Sequence, residues 1–189
     1  MKSILTLFFA ASTLFCFVSC GEKKQTNDII ARKTEKKAPA APGKMQDYSH
    51  KETIEWLGKA YNIEIKRNVD AGLPMVVDDS GNKYYDNKIK VVVSREDGSV
   101  FFDRTFSKSD FSSCMTESYI KKSALLGIVV DKVDGDNLRF AASVGSPDVL
   151  SDEYMPLILT LTRMGSVSIT KDTRLDSSSE TTEDEDEGV

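Results

Sequence analysis

Lys88-Ile89-Lys90-Val91-Val92-Val93-Ser94-Arg95, then Glu96-Asp97-Gly98-Ser99, then Val100-Phe101-Phe102-Asp103-Arg104-Thr105-Phe106: this stretch decides the fold class. Ile89, Val91 and Val93 alternate with Lys88, Lys90 and, less cleanly, Val92, which is the period of a strand with one buried face. Asp97-Gly98 marks a tight turn, and the flanking runs predict a β-hairpin. Phe101 and Phe102 are expected on opposite faces of the second strand, so that one of them is a candidate for an exposed interaction patch. Tyr84 and Tyr85 are candidates of the same kind.

The same alternation recurs on either side. Tyr61, Ile63 and Ile65 alternate with Asn62, Glu64 and Lys66. Leu125 to Val133 is apolar on nearly both faces, which predicts a central strand. Asp134-Gly135-Asp136-Asn137 reads as a turn, followed by alternation at Leu138, Phe140, Ala142 and Val144. Further strands are expected at Met155–Leu161 and Val167–Thr170. Between the hairpin and these strands, Phe111, Cys114, Met115 and Tyr119 share one helical face. They predict a helix over Ser109 to Lys122, capped by Ser107 or Ser109. Residues 50–57 suit either state: Ser49 and Glu52 have capping-box spacing, whereas Ile54 and Trp56 alternate. The expectation is a mainly β (β-rich α+β) domain, an antiparallel sandwich or half-open barrel of about seven strands with one helix.

The N-terminus carries a different message. Lys2 precedes an uncharged run from Ile4 to Val18, followed by Ser19 and Cys20. The run has the length of a secretory signal and is short for a membrane span, which needs about 20 residues. A small residue followed directly by cysteine resembles a bacterial lipoprotein signal peptide, in which Cys20 becomes the acylated first residue. Acylation with two or three chains anchors a protein stably. The implied location is the cell envelope, lipid-anchored, at the outer membrane and facing the periplasm. The run Gly21-Glu22-Lys23-Lys24 lacks the tight acidic cluster of surface-export signals.

Removing residues 1–19 leaves 170 of 189 residues, enough for one domain with a core of its own. The chain divides into a signal peptide (1–19), a tether (20–46), a globular domain (47–175) and an acidic tail (176–189). The tether is polar, rich in Lys and interrupted by Ala38-Pro39-Ala40-Ala41-Pro42-Gly43. The tail carries Glu183 to Glu187 without a break in acidity. Net charge is −5, and no basic face in the globular part argues for nucleic acid.

Phe102-Asp103-Arg104-Thr105-Phe106-Ser107-Lys108-Ser109-Asp110-Phe111 and Ser143-Val144-Gly145-Ser146-Pro147-Asp148, continuing through Ser151-Asp152-Glu153, carry a family resemblance. Over residues 53–175 the chain resembles a family of lipoproteins from gut and oral Bacteroidota that carry a domain of unknown function. The resemblance implies an envelope lipoprotein and no functional residue.

Candidate chemistry is sparse. His50 is the single histidine, so a Ser-His-Asp or Cys-His arrangement would depend on it, and a histidine-based metal site would lack a second imidazole. Cys114 falls on the apolar helix face and is expected to behave as a small hydrophobe. Asp78-Asp79-Ser80-Gly81-Asn82 has the flavour of a calcium loop, but Lys83 and Ile89 stand where Gly and Glu are required, so a turn is expected. Asp131, Asp134 and Asp136 are read in the same way. No catalytic residue, metal or cofactor is expected. The expected role is a non-catalytic binding or assembly module whose partners are the membrane, through the lipid anchor, and a protein or small molecule. The alternatives are a carrier of a small apolar ligand, with one face of Leu125–Val133 on a cavity, and a carboxylate-dependent hydrolase.

Overall fold

The computed structural model describes residues 41–174. Cys20, the apolar segment before it and the acidic tail lie outside the described residues. Two antiparallel sheets are built one after the other along the chain. β1 (Tyr48–Trp56), β2 (Lys59–Asp70), β5 (Asp86–Arg95) and β6 (Val100–Phe106) form the first, in the order β1-β2-β5-β6. β7 (Ala124–Asp134), β8 (Asn137–Gly145), β9 (Tyr154–Thr162) and β10 (Val167–Lys171) form the second, in the order β10-β9-β8-β7. A two-strand excursion, β3 (Val76–Val77) with β4 (Lys83–Tyr84), interrupts the path from β2 to β5. The result is β-rich and antiparallel with no closed barrel, consistent with a β-sandwich.

The seven strands expected from alternation are all present. Residues 50–57 resolve in favour of β1, whose partner β2 follows through the two-residue loop Leu57-Gly58. Both loop residues have positive φ, +55° and +69°, as a type I′ turn requires. Leucine is an unusual occupant of that conformation, so the hairpin lacks its customary Asn-Gly or Asp-Gly signature.

The inner faces meet in one core. Trp56, Ile63, Ile65, Val91 and Phe106 come from the first sheet and Leu125, Phe140, Val144, Leu157 and Leu159 from the second, all at most 1% exposed. Full burial of side chains of this kind contributes about 1.5–3 kcal/mol each.

Three expectations are corrected. β7 is an edge strand and not a central one, at the end of the second sheet. Its register with β8 shifts at Leu126 and again at Asp131. The bulge at Leu126 changes the phase, so Leu125, Ile128 and Val130 all meet the core although their spacing is irregular. That phase change is why the segment reads as apolar on both faces. Phe101 and Phe102 do not split between faces. Phe101 is the unpaired residue of a bulge between the pairs Val93–Phe102 and Ser94–Val100, and both rings pack on the core. Phe101 stands edge-on to Trp56 at 5.3 Å.

The single helix expected over 109–122 is instead a 3-10 helix, Lys108–Cys114, followed by α1, Glu117–Lys122. Met115 and Thr116 between them are extended. Thr116 starts a new helix because its hydroxyl accepts from the Tyr119 N–H. Ser107 begins the 3-10 segment, and the Asp110 carboxylate reaches back to its N–H at 2.8 Å. Phe111, Cys114, Met115 and Tyr119 still turn toward the core.

Residues that precede β1 are held against the sheets by backbone bonds. Gly43 N–H donates to Lys83 at 2.8 Å and its carbonyl accepts from Tyr85 at 2.9 Å, a parallel bridge beside β4. Arg67 and Asn87 hold Gln46 and Met45 in turn.

Candidate functional site

Three segments distant in sequence meet at a polar cleft of about 430 Å3. The β3–β4 turn supplies Asp78, Asp79 and Ser80, the region of α1 supplies Thr116 to Ser123, and the β8–β9 loop supplies Ser146, Asp148, Ser151 and Glu153. Four carboxylates face one ammonium, Lys122, so the cleft is net acidic.

Local hydrogen bonds fix each wall. Asp78 accepts from the Ser80 and Asn82 N–H groups at 2.9 and 2.8 Å, from the Asn82 amide at 2.9 Å and from the Tyr84 hydroxyl at 3.2 Å. This is an Asx-type turn, the reading expected for residues 78–82. The Asn82 side chain foremost, against some desolvation, holds Asp78 below the usual carboxylate range, so it stays ionised. In the β8–β9 loop, Ser146 Oγ accepts from Asp148 N–H, Asp148 from Leu150 N–H, and Ser151 Oγ from Glu153 N–H. On α1, the Ser123 hydroxyl donates to Tyr119 O at 2.7 Å, and Tyr119 donates across to Val144 O at 3.2 Å.

The electrostatics follow from these contacts. Desolvation, then the charge of Glu153, raises the Tyr119 phenol above its ordinary value. Desolvation, then Asp148 and Asp78, raises Tyr84 likewise, so both remain neutral donors. Lys122 pairs with Asp79, which together with Glu153 raises its pKa. The cleft therefore offers carboxylates and hydroxyls around a fixed frame, suited to a cationic or donor-rich group. Its serine and threonine hydroxyls have no imidazole beside them, because the chain's one histidine stands on β1 outside the lining.

The residues singled out by sequence are scattered. His50 is exposed, 3.3 Å from Glu52 and stacked on Tyr48. Cys114 is half-buried with its sulfur 3.8 Å from Ile169 O. Asp131 and Asp134 both turn to Arg139, while Asp136 pairs with Arg163 at 2.9 Å. Tyr84 lies half-buried against Gly43, and Tyr85 is half-buried too. Among the described residues, no three His, Cys, Asp or Glu side chains are grouped to hold a metal, and no helix is long and apolar enough to cross a membrane. The 78–82 turn, Tyr119 from the expected helical face, and the segment from Ser146 through Glu153 that carries the family resemblance all belong to the cleft. Asp148 and Glu153 were legible as loop residues but not as its opposite wall.

The model of one family, a domain of unknown function (DUF4738), matches residues 27–169, and the chain belongs to that family. No curated protein matches it.

Proposed function

We propose, with membership of the DUF4738 family as the premise, that this chain is a cell-envelope lipoprotein whose domain works as a binding module. In this reading Cys20 carries the acyl chains and residues 21–42 span the distance to the domain. The domain faces the periplasm from the outer membrane and performs no covalent chemistry. The observation that carries the binding role is the polar cleft, whose walls come from three segments and are individually locked by hydrogen bonds. A frame assembled before its partner arrives loses little conformational entropy on binding.

Two arms test the reading in a bacterial host. Metabolic labelling with an alkyne fatty acid should mark the wild-type chain and not Cys20→Ser. A photo-crosslinking residue placed at Ser118, in the cleft, should give a discrete adduct absent when it is placed at Lys59 on the first sheet. Unlabelled wild-type chain would remove the lipoprotein reading. Identical adducts from both positions would remove the cleft.

A further inference from the structure

The face of β2 that looks into the sandwich carries Tyr61, Ile63 and Ile65, and the same alternation brings Arg67 inward. In register it lies between Tyr48 on β1 and Ile89 on β5. Beside its guanidinium is a pocket of about 280 Å3, walled by Tyr48, Ile65, Ile89, Gly127, Ile128 and Val129. Apart from Arg67 and the Tyr48 hydroxyl, every side chain on that wall is apolar or absent.

The guanidinium is only partly satisfied. One Nη donates to Leu126 O, the carbonyl of a bulged residue, and the other to Gln46 O at 2.9 Å. Nε is buried without an acceptor. Two bonds engage two of the five N–H donors that a guanidinium presents. Neither partner carries charge, and Asp47 attracts Arg67 only from beyond ion-pair distance. The Tyr48 ring lies 5.9 Å from the guanidinium carbon. A half-buried cation held by two neutral carbonyls lacks the anion that usually offsets its desolvation.

We propose that this pocket binds a small anionic amphiphile, its carboxylate at Arg67 and its apolar tail against the exposed Tyr48 and Val129, over the floor formed by the buried Ile65, Ile89 and Ile128. A cation with no direct ion pair at one end of an apolar wall is complementary to such a ligand and to neither a neutral hydrocarbon nor a cationic one. The site is separate from the acidic cleft, with which it shares no residue.

The test uses the mature chain, residues 20–189, carrying Cys20→Ser so that no acyl group competes. Octanoate, octylamine and acetate are titrated while the methyl resonances of Ile65, Ile89 and Ile128 are followed by NMR. Octanoate should shift these methyls saturably, with octylamine and acetate at least tenfold weaker. Arg67→Met should weaken octanoate at least tenfold. Val129→Trp, which enlarges a half-exposed side chain of the pocket lining that makes neither of the Arg67 bonds, should do the same and decides the matter if Arg67→Met fails to fold. Octylamine binding as well as octanoate, unchanged affinity in Val129→Trp, or no saturable shift would each overturn the proposal.

Discussion

Lys108 donates to the Asp86 carboxylate across 3.2 Å, and the Asp86 side chain is 1% exposed. The same carboxylate accepts from Asn87 N–H at 2.8 Å and from Leu125 N–H at 3.0 Å, while Lys108 also donates to Ser123 O at 2.8 Å. One ion pair thus joins the start of β5, the 3-10 segment, the end of α1 and the start of β7. Removing one member of such a pair strands the other away from water, at about 3–5 kcal/mol. Asp86→Ala should lose that much in urea unfolding. Lys108→Met should lose less, because two backbone donors still hold the carboxylate.

Leu57 offers the opposite case, a position where stability can be gained. Its φ of +55° costs a branched L-residue about 1–2 kcal/mol relative to the right-handed region, and its side chain is exposed. Leu57→Asn should raise the stability by about 1 kcal/mol, since asparagine visits this region readily and suits a type I′ turn before Gly58. A lowered or unchanged urea midpoint would contradict this account of the β1–β2 turn.

Asp172 supplies a pH signature. The Arg174 guanidinium, bonded to it at 2.8 and 3.0 Å, holds its pKa at about 2 against some desolvation. A folded-state pKa below the ordinary carboxylate value of about 3.9 favours the folded state above that pH. The contribution is lost as pH falls from about 4 toward 2. Carboxyl NMR should place the Asp172 midpoint near 2, and Arg174→Gln should move it upward and flatten the acid loss in that window.

Gly145 governs the approach of β8 to β9. It pairs with Tyr154, and a Cβ there would meet Glu153 O and stand 2.6 Å from Tyr154 Cα. Backbone cannot yield as a flexible side chain does, so Gly145→Ala should destabilise the domain by about 1–3 kcal/mol. Amide shifts should concentrate at Ser146 to Glu153, the loop that forms one wall of the polar cleft.

The strands were legible wherever alternation ran undisturbed, as at Leu138–Val144 and Leu157–Leu161, whose inward residues are buried as the period requires. Legibility failed where one extra residue shifted the phase. The bulge at Leu126 disguised an edge strand as a central one, and the bulge at Phe101 put two adjacent rings on one core. The break at Met115–Thr116 was hidden because the apolar spacing continued through it. The cleft was not legible, since its successive walls are about 30 to 40 residues apart in the chain and are brought together only by the tertiary fold. Arg67 could have been found: it continues the phase of Tyr61, Ile63 and Ile65, and a charge in the buried phase of a strand is a signal.

The bridge at Gly43 has a mechanical meaning. Tension arriving along the chain from residue 42 meets the bonds from Gly43 N–H to Lys83 and from Tyr85 N–H to Gly43 before it reaches β1. The contact is parallel and close enough that a methyl at residue 43 would come within 2.6 Å of the Tyr84 ring. Under the lipid anchoring proposed above, this short splice would act as a strain relief: a pull from the N-terminal side would be taken up at the rim by β4, and the edge strand of the first sheet spared from being peeled.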